Sequence, residues 1–173
     1  MNRPVLLATF TLTAVLSACS TVTAPPPSAG TSTAPRSTPF VELPRPGDGE
    51  QIVMFAYGLL GTGYRFGGRN PEAGLDCSGM VSYVVEQVTG IRLPHNAAQI
   101  AQQTRAIDSD ALKPGDLVFF NTMKRPYSHM GIYLGDGKFI HAPSSKGVVR
   151  VERMDNRYFA QRFDGARTLL SDG

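Results

Sequence analysis

The 173 residues contain no tryptophan, only two cysteines, and charged side chains at only 18%. Two cysteines cannot build the multi-bridge framework on which small secreted scaffolds depend. Seventeen Lys and Arg against fourteen Asp and Glu leave a net charge of +3. No basic run is long enough to form a phosphate-binding face, so nucleic acid is not an expected partner. No apolar run reaches the about 20 residues that a membrane-spanning helix requires. The candidate stretch, Val5 to Ala18, is short and diluted by Thr9, Thr11, Thr13 and Ser17. With 42% hydrophobic content the chain can bury one real core and is too short for two.

What is present is unevenly spread. Of thirteen prolines, six fall between Pro25 and Pro44 and another is Pro46, which separates a tail from a domain. Asn2 and Arg3, the apolar stretch and then small residues have the layout of a bacterial export signal. Leu16-Ser17-Ala18-Cys19 resembles the lipobox of bacterial lipoproteins. That resemblance implies a signal peptide over residues 1–18, cleavage before Cys19, diacylation of its sulfur and a third acyl chain on the new N-terminus. At about 0.8 kcal/mol per buried CH₂, such chains would hold the protein on a membrane without spanning it. Ser20, not Asp, stands next, and the sorting rule of such lipoproteins then implies the outer membrane, facing the periplasm, in a Gram-negative host. Residues 19–49 have few large apolar groups to offset the entropy of ordering and are expected to be a disordered tether. In the polyproline conformation about thirty residues reach on the order of 90 Å.

A domain is expected over residues 50–173. Ile52, Val53, Ala56, Leu59 and Leu60 recur at helical spacing before Gly61 and Gly63. A glycine-rich loop leads to a second helix that begins near Asp76, presents Met80, Val81, Val84, Val85 and Val88 on one face, and stops at Gly90. A shorter helix is expected from Asn96 to Gln103. The period then falls toward two in Leu117–Phe120, Met130–Leu134, Lys138–His141, Val148–Val151 and Ala166–Leu170, with a helical turn around Asn156–Phe159. Gly135-Asp136-Gly137 between two of these runs signals a hairpin. Helices followed by strands predict an α+β domain on an antiparallel sheet.

Once Cys19 is acylated, Cys77 is the one thiol left, without a disulfide partner. At the expected start of the second helix, free N–H groups and the positive end of the dipole would favour its thiolate. The histidines are His95, His129 and His141, and the hairpin would bring His129 and His141 together. Cys77, His129 and His141 suit a nucleophile, a base and an orienting group. The same three also suit a catalytic zinc site with one open position, although no close-spaced ligand pair is present.

Six ordered blocks resemble the NlpC family of cell-wall cysteine peptidases: Gly63-Tyr-Arg-Phe-Gly-Gly68, Leu75-Asp-Cys-Ser-Gly79, Leu93-Pro94, Lys113-Pro-Gly-Asp-Leu-Val-Phe-Phe120, Ser128-His-Met-Gly-Ile-Tyr133 and Phe139-Ile-His-Ala142. Arg162-Phe-Asp-Gly-Ala-Arg167 is similar to the tail of the Spr-type outer-membrane murein endopeptidases. The resemblance implies a papain-like fold, with N-terminal helices packed on the antiparallel sheet. It also implies Cys77 as nucleophile, His129 as general base, His141 as the group orienting His129, and Tyr64 lining the oxyanion hole with the Cys77 backbone N–H. Fixed donors there are worth about 3 kcal/mol each. Asp76 and Ser78 match positions that contact the amino end of a stem peptide, while Asp76 equally suits a helix N-cap. Asp116 is assigned to a turn. Members often carry Arg-Thr-Ser after Leu-Pro; here His95-Asn-Ala97 stands there, and His95 is expected to be an exposed loop residue.

The implied activity is hydrolysis of peptidoglycan stem peptides or cross-links next to diaminopimelate, by a monomer needing no metal or organic cofactor. The competing readings are a catalytically silent peptidoglycan-binding or scaffolding lipoprotein and an amidase or acyltransferase on the same fold.

Overall fold

A computed structural model of the protein describes residues 40–144 and 147–170. The expected leader, Cys19 and most of the expected tether lie outside these residues. Helix α1 is Asp48–Tyr57, strands β1 and β2 are Arg69–Asn70 and Gly74–Leu75, and helices α2 and α3 are Cys77–Thr89 and Ala97–Gln103. Strand β3 (Arg105–Ile107) and a 3-10 turn (Ser109–Ala111) precede β4 (Leu117–Phe120), β5 (His129–Gly135), β6 (Lys138–His141) and β7 (Arg150–Arg153). A one-turn helix α4 (Arg157–Ala160) and β8 (Phe163–Thr168) complete the order.

Six strands form one antiparallel sheet in the order β3-β8-β4-β5-β6-β7, and β1 and β2 pair separately. Side chains alternate across this sheet. Leu117, Phe119, Met130, Ile132 and Ile140 join Ile52, Ala56, Met80, Val81, Val84 and Val85 of α1 and α2 in the main core. Val118, Phe120, Phe139 and Phe159 of α4 form a smaller cluster. The α+β expectation, helices on an antiparallel sheet, is what the structure shows.

Helix α2 is delimited at both ends by its own sequence. The Asp76 carboxylate accepts from the Gly79 N–H at its start, and Gly90 closes it in the left-handed conformation with φ +77°. Asn96 caps α3 in the same way through the Gln99 N–H. The β5–β6 hairpin turns through Asp136 and Gly137 with φ +51° and +67°, the two positive values that a type I′ turn requires.

The remaining differences are tertiary. Helix α1 stops at Tyr57, so Leu59 packs in the core from beyond the helix. Residues 41–49, expected to be the end of the tether, already belong to the domain: the Val41 N–H donates to Gln103 O, the Leu43 N–H to Leu169 O, and Leu43 is buried. Val148 only bridges Gly63, and the strand there begins at Arg150. Among the described residues, no helix is long and apolar enough to cross a membrane.

Candidate active site

Cys77 is the first residue of α2, and its thiol opens into a cleft of about 340 Å³ that is also lined by Tyr64, Asp76, Ser78, His95 and His129. The opposite wall is the loop from Thr122 to Ser128 between β4 and β5. That wall is held by the Ser128 hydroxyl, which accepts from the Thr122 and Met123 N–H groups, and by the Tyr127 N–H, which donates to Asp164.

His129 opens β5 and His141 closes β6, and the hairpin brings His129 Nε2 to 2.7 Å from His141 Nδ1. Both rings are buried, and both pack around Phe159, at centroid separations of 6.4 and 5.2 Å. With Nε2 committed to His141, Nδ1 is the nitrogen that His129 has left for the cleft. Gly131 lies between them on β5 for a steric reason. A Cβ there would stand 2.6 Å from Ile140 O, 2.8 Å from the Phe139 ring and 3.2 Å from His141 Cβ.

The Cys77 thiol does not behave as its helix position suggests. Burial pushes it up to about 11 and the charge of Asp76 adds to this, while the backbone N–H groups of Met130, Ser78 and Cys77 pull the other way. The expected depression by the helix N-terminus is therefore overturned, because desolvation outweighs the amides. Burial lowers His129 to about 4, against the opposing pull of Asp76. Burial, with the positive charges of His129 and Arg150, lowers His141 to about 2. At neutral pH the resting site holds a thiol and two neutral imidazoles. Burial also raises the Tyr64 hydroxyl, helped by the charges of Asp76 and Cys77, so it stays protonated and able to donate.

Asp76 does more than cap α2. Its Oδ1 accepts from the Gly79 N–H at 2.7 Å and the Ser78 hydroxyl at 3.1 Å, and its Oδ2 from the Gly67 N–H at 3.0 Å. His95 is not the exposed loop residue expected from its sequence position. It lines the cleft with its Nε2 at 2.8 Å from Asp76 Oδ1, while Arg69 Nε donates to its Nδ1 at 2.7 Å. The arginine donor places the ring proton on Nε2, directed at Asp76. Gly79 makes this approach possible, since a Cβ there would lie 2.9 Å from His95 Nε2 and 1.9 Å from Gly68 O. Asp116 is buried in the turn before β4 as expected, accepting from the Lys113 N–H at 2.7 Å.

The structure thus brings Cys77, His129, Tyr64, Asp76 and Ser78 to one cleft, with His141 behind His129. Sequence reasoning missed Arg69, His95 and the 122–128 wall. Among the described residues, no group of three or more His, Cys, Asp and Glu is arranged to hold a metal ion.

Residues 61–168 match the NlpC/P60 family. The chain belongs to that family. Over 116 residues it is 37% identical to the probable endopeptidase YafL of Escherichia coli (strain K12), covering 65% of this chain and 47% of that protein. Over 133 residues it is 33% identical to the murein DD-endopeptidase MepS/murein LD-carboxypeptidase of the same strain, covering 76% and 69%. The chain spans less than half the length of YafL. The solved NlpC/P60 domain of the peptidoglycan hydrolase SagA superposes with a TM-score of 0.61 at 37% identity, covering 69% of this chain and 97% of that one. The papain-like NlpC/P60 fold is therefore the fold of this chain.

Proposed function

We propose that the protein is a cysteine peptidase that cleaves amide bonds in the stem peptides or cross-links of peptidoglycan. The observation carrying this reading is the 2.7 Å contact between His129 and His141, on a His129 that shares its cleft with the Cys77 thiol. A binding protein needs no thiol beside an oriented imidazole. The names of the relatives, murein endopeptidases among them, supply the substrate class.

In the proposed cycle the Cys77 proton passes to His129 Nδ1 as sulfur attacks the amide carbonyl. The burial that raises the thiol makes this transfer part of the attack, not a step completed beforehand. The Cys77 N–H and the Tyr64 hydroxyl receive the negative charge that forms on the carbonyl oxygen. Collapse breaks the C–N bond, and His129 returns its proton to the leaving amine. Water then attacks the thioester, with His129 as base, and releases the carboxylic acid and the thiol. His141 acts by accepting from His129 Nε2–H and fixing the ring. Asp76, itself held by His95 and Ser78, positions the start of α2 and the side of the cleft that meets the acyl half.

The leader motif supports a further part of the reading: residues 1–18 as signal peptide, Cys19 as acylated anchor and a periplasm-facing place on the outer membrane. The reading also takes the protein to be a monomer.

The test is mass spectrometry of muropeptides incubated with the detergent-solubilised full chain and with its Cys77→Ala variant. Dimers falling to monomers with the intact thiol alone mark a cross-link endopeptidase, and stems shortened to dipeptides mark cleavage at D-Glu. Equal product from both proteins would remove Cys77 from the mechanism.

A further inference from the structure

Nothing in the catalytic cycle uses residues 162–167, yet this segment holds the cleft wall at both ends. At the start of the wall the Asn121 N–H donates to Arg162 O at 2.7 Å. At its close the Tyr127 N–H donates to Asp164 Oδ2 at 2.6 Å, and Arg167 Nη2 donates to the Tyr127 hydroxyl at 3.3 Å. We propose that Asp164 and Arg167 are positioning residues that clamp, through Tyr127, the 122–128 wall of the Cys77 cleft, and that the clamp keeps the cleft in its substrate-binding form. The clamp stands on the geometry, and its effect on turnover rests on the reading of this cleft as a peptidase site.

The device is a bulge in the sheet. Across β4 and β8 Phe119 faces Gly165 and Phe120 faces Phe163, so Asp164 is an extra residue that the ladder skips. A bulge bends its strand and re-aims a side chain. Here it presents the Asp164 carboxylate to the Tyr127 N–H, 37 residues away. Gly165, next in the chain, takes φ +138°, a value that residues with a side chain rarely adopt. Arg167 is anchored from the other side, where its Nη1 donates to Thr104 O at 2.8 Å. Its guanidinium then lies 5.2 Å from the Tyr127 ring centroid, within cation–π range, while Phe119 meets the same ring edge to face at 5.4 Å.

The wall has a shape that needs such support. Lys124 and Tyr127 have φ of +57° and +50°, in the left-handed region that is an outlier for a bulky side chain. Backbone of this kind persists where its surroundings over-determine it, and around Tyr127 those surroundings are Asp164, Arg167 and Phe119. Between the two ties, residues 123–126 are exposed. His129 is held separately, by His141 and against Phe159. Release of the wall should therefore weaken substrate binding and leave the proton-transfer groups in place.

The experiment compares the detergent-solubilised full chain with Asp164→Ala and Asp164→Asn, each checked for folding by circular dichroism. Trypsin can cut the wall after Lys124, whereas Arg125 precedes Pro126 and resists it. The rate of that cut, followed by mass spectrometry, tracks the population of the released wall. Asp164→Ala should speed it by about 10- to 100-fold, the size of one hydrogen bond to a charged group. Asparagine keeps an acceptor for the Tyr127 N–H, so Asp164→Asn should recover most of the protection. On a cross-linked muropeptide Asp164→Ala should raise KM by about 2- to 10-fold as the clamped fraction falls, with kcat within about a factor of two. An unchanged KM, a kcat loss larger than the KM rise, or no recovery in Asp164→Asn would overturn the proposal. If Asp164→Ala does not fold, Tyr127→Phe decides in its place, since it removes only the acceptor of Arg167. A cut about 3- to 10-fold faster then supports the clamp, and an unchanged rate overturns it. The cut needs no turnover: a faster cut in a chain that hydrolyses no muropeptide would keep the clamp and sink the peptidase reading, and an unaltered cut would sink the clamp whatever is hydrolysed.

Discussion

Taking the protein from pH 8 to pH 5 should destabilise the folded state by about 4 kcal/mol through His129 and His141. In the unfolded chain each imidazole titrates near 6.5. In the folded protein burial holds His129 at about 4 and His141 at about 2, the latter helped by the charges of His129 and Arg150. Both folded values lie below the unfolded one, so between pH 6.5 and pH 4 the unfolded chain binds protons that the native state refuses. Stability is therefore complete above 6.5 and is lost as the pH falls. At pH 5 each ring is about 1.5 pH units below its unfolded value, worth about 2 kcal/mol. The figure depends on the unfolded value and hardly at all on how far below 5 the folded one lies. Asp116 works in the opposite direction: burial raises its carboxyl, so its protonation favours the folded state as pH falls. Its contribution is removed by repeating the titration in Asp116→Asn. Urea unfolding followed by circular dichroism is the assay; with a slope of about 2 kcal/mol per molar, the midpoint should fall by about 2 M. His141→Asn keeps an acceptor for His129 Nε2 and removes one titrating ring, so it should halve the shift. Equal midpoints at the two pH values, or an undiminished shift in His141→Asn, would refute the reasoning.

Three further outcomes follow from the same geometry. The rate of Cys77 alkylation by iodoacetamide, with the Cys77→Ala chain as background, should keep climbing above pH 8, because burial pushes the thiol up to about 11; a plateau already reached at neutral pH would mean a resting thiolate. Gly131→Ala should lower stability by about 1–3 kcal/mol and suppress hydrolysis, since its methyl would meet Ile140 O, the Phe139 ring and His141 Cβ; full activity with an unchanged Tm would contradict that crowding. Asp76→Ala should cost about 1–2 kcal/mol as a lost N-cap, with Asp76→Ser, also a good cap, restoring most of it; equal stability of all three proteins would show that the cap is not what Asp76 supplies.

Legibility followed the range of the interactions. Helix α2 could be read because its cap, its apolar stripe and its closing glycine are neighbours in sequence. The pairing of His129 with His141 could be read because two positive-φ residues, Asp136 and Gly137, fix the hairpin between them. Strand β3 could not, because Arg105–Ile107 is made a strand only by its pairing with Ala166–Thr168. His95 was misplaced for a similar reason: its partners Asp76 and Arg69 stand 19 and 26 residues away, and nothing local announces them. The thiol was misjudged because a helix terminus is visible in sequence, whereas the burial that outweighs it is a property of the whole fold.

The hairpin carries one more implication, for the kinds of sequence change the site can survive. Ile140 faces the main core while its neighbours Phe139 and His141 face the other side. Inserting or deleting one residue between Tyr133 and Lys138 would invert that parity, presenting Ile140 to Arg150 and turning His141 toward the helices. Two residues would restore the parity but slide His141 along its strand by about 7 Å, far beyond reach of His129. The chain length between the two imidazoles is thus as much a part of the site as the imidazoles, and outside Gly131, the two histidines and the positive-φ turn residues, point substitutions should be tolerated across that hairpin far more readily than any insertion or deletion.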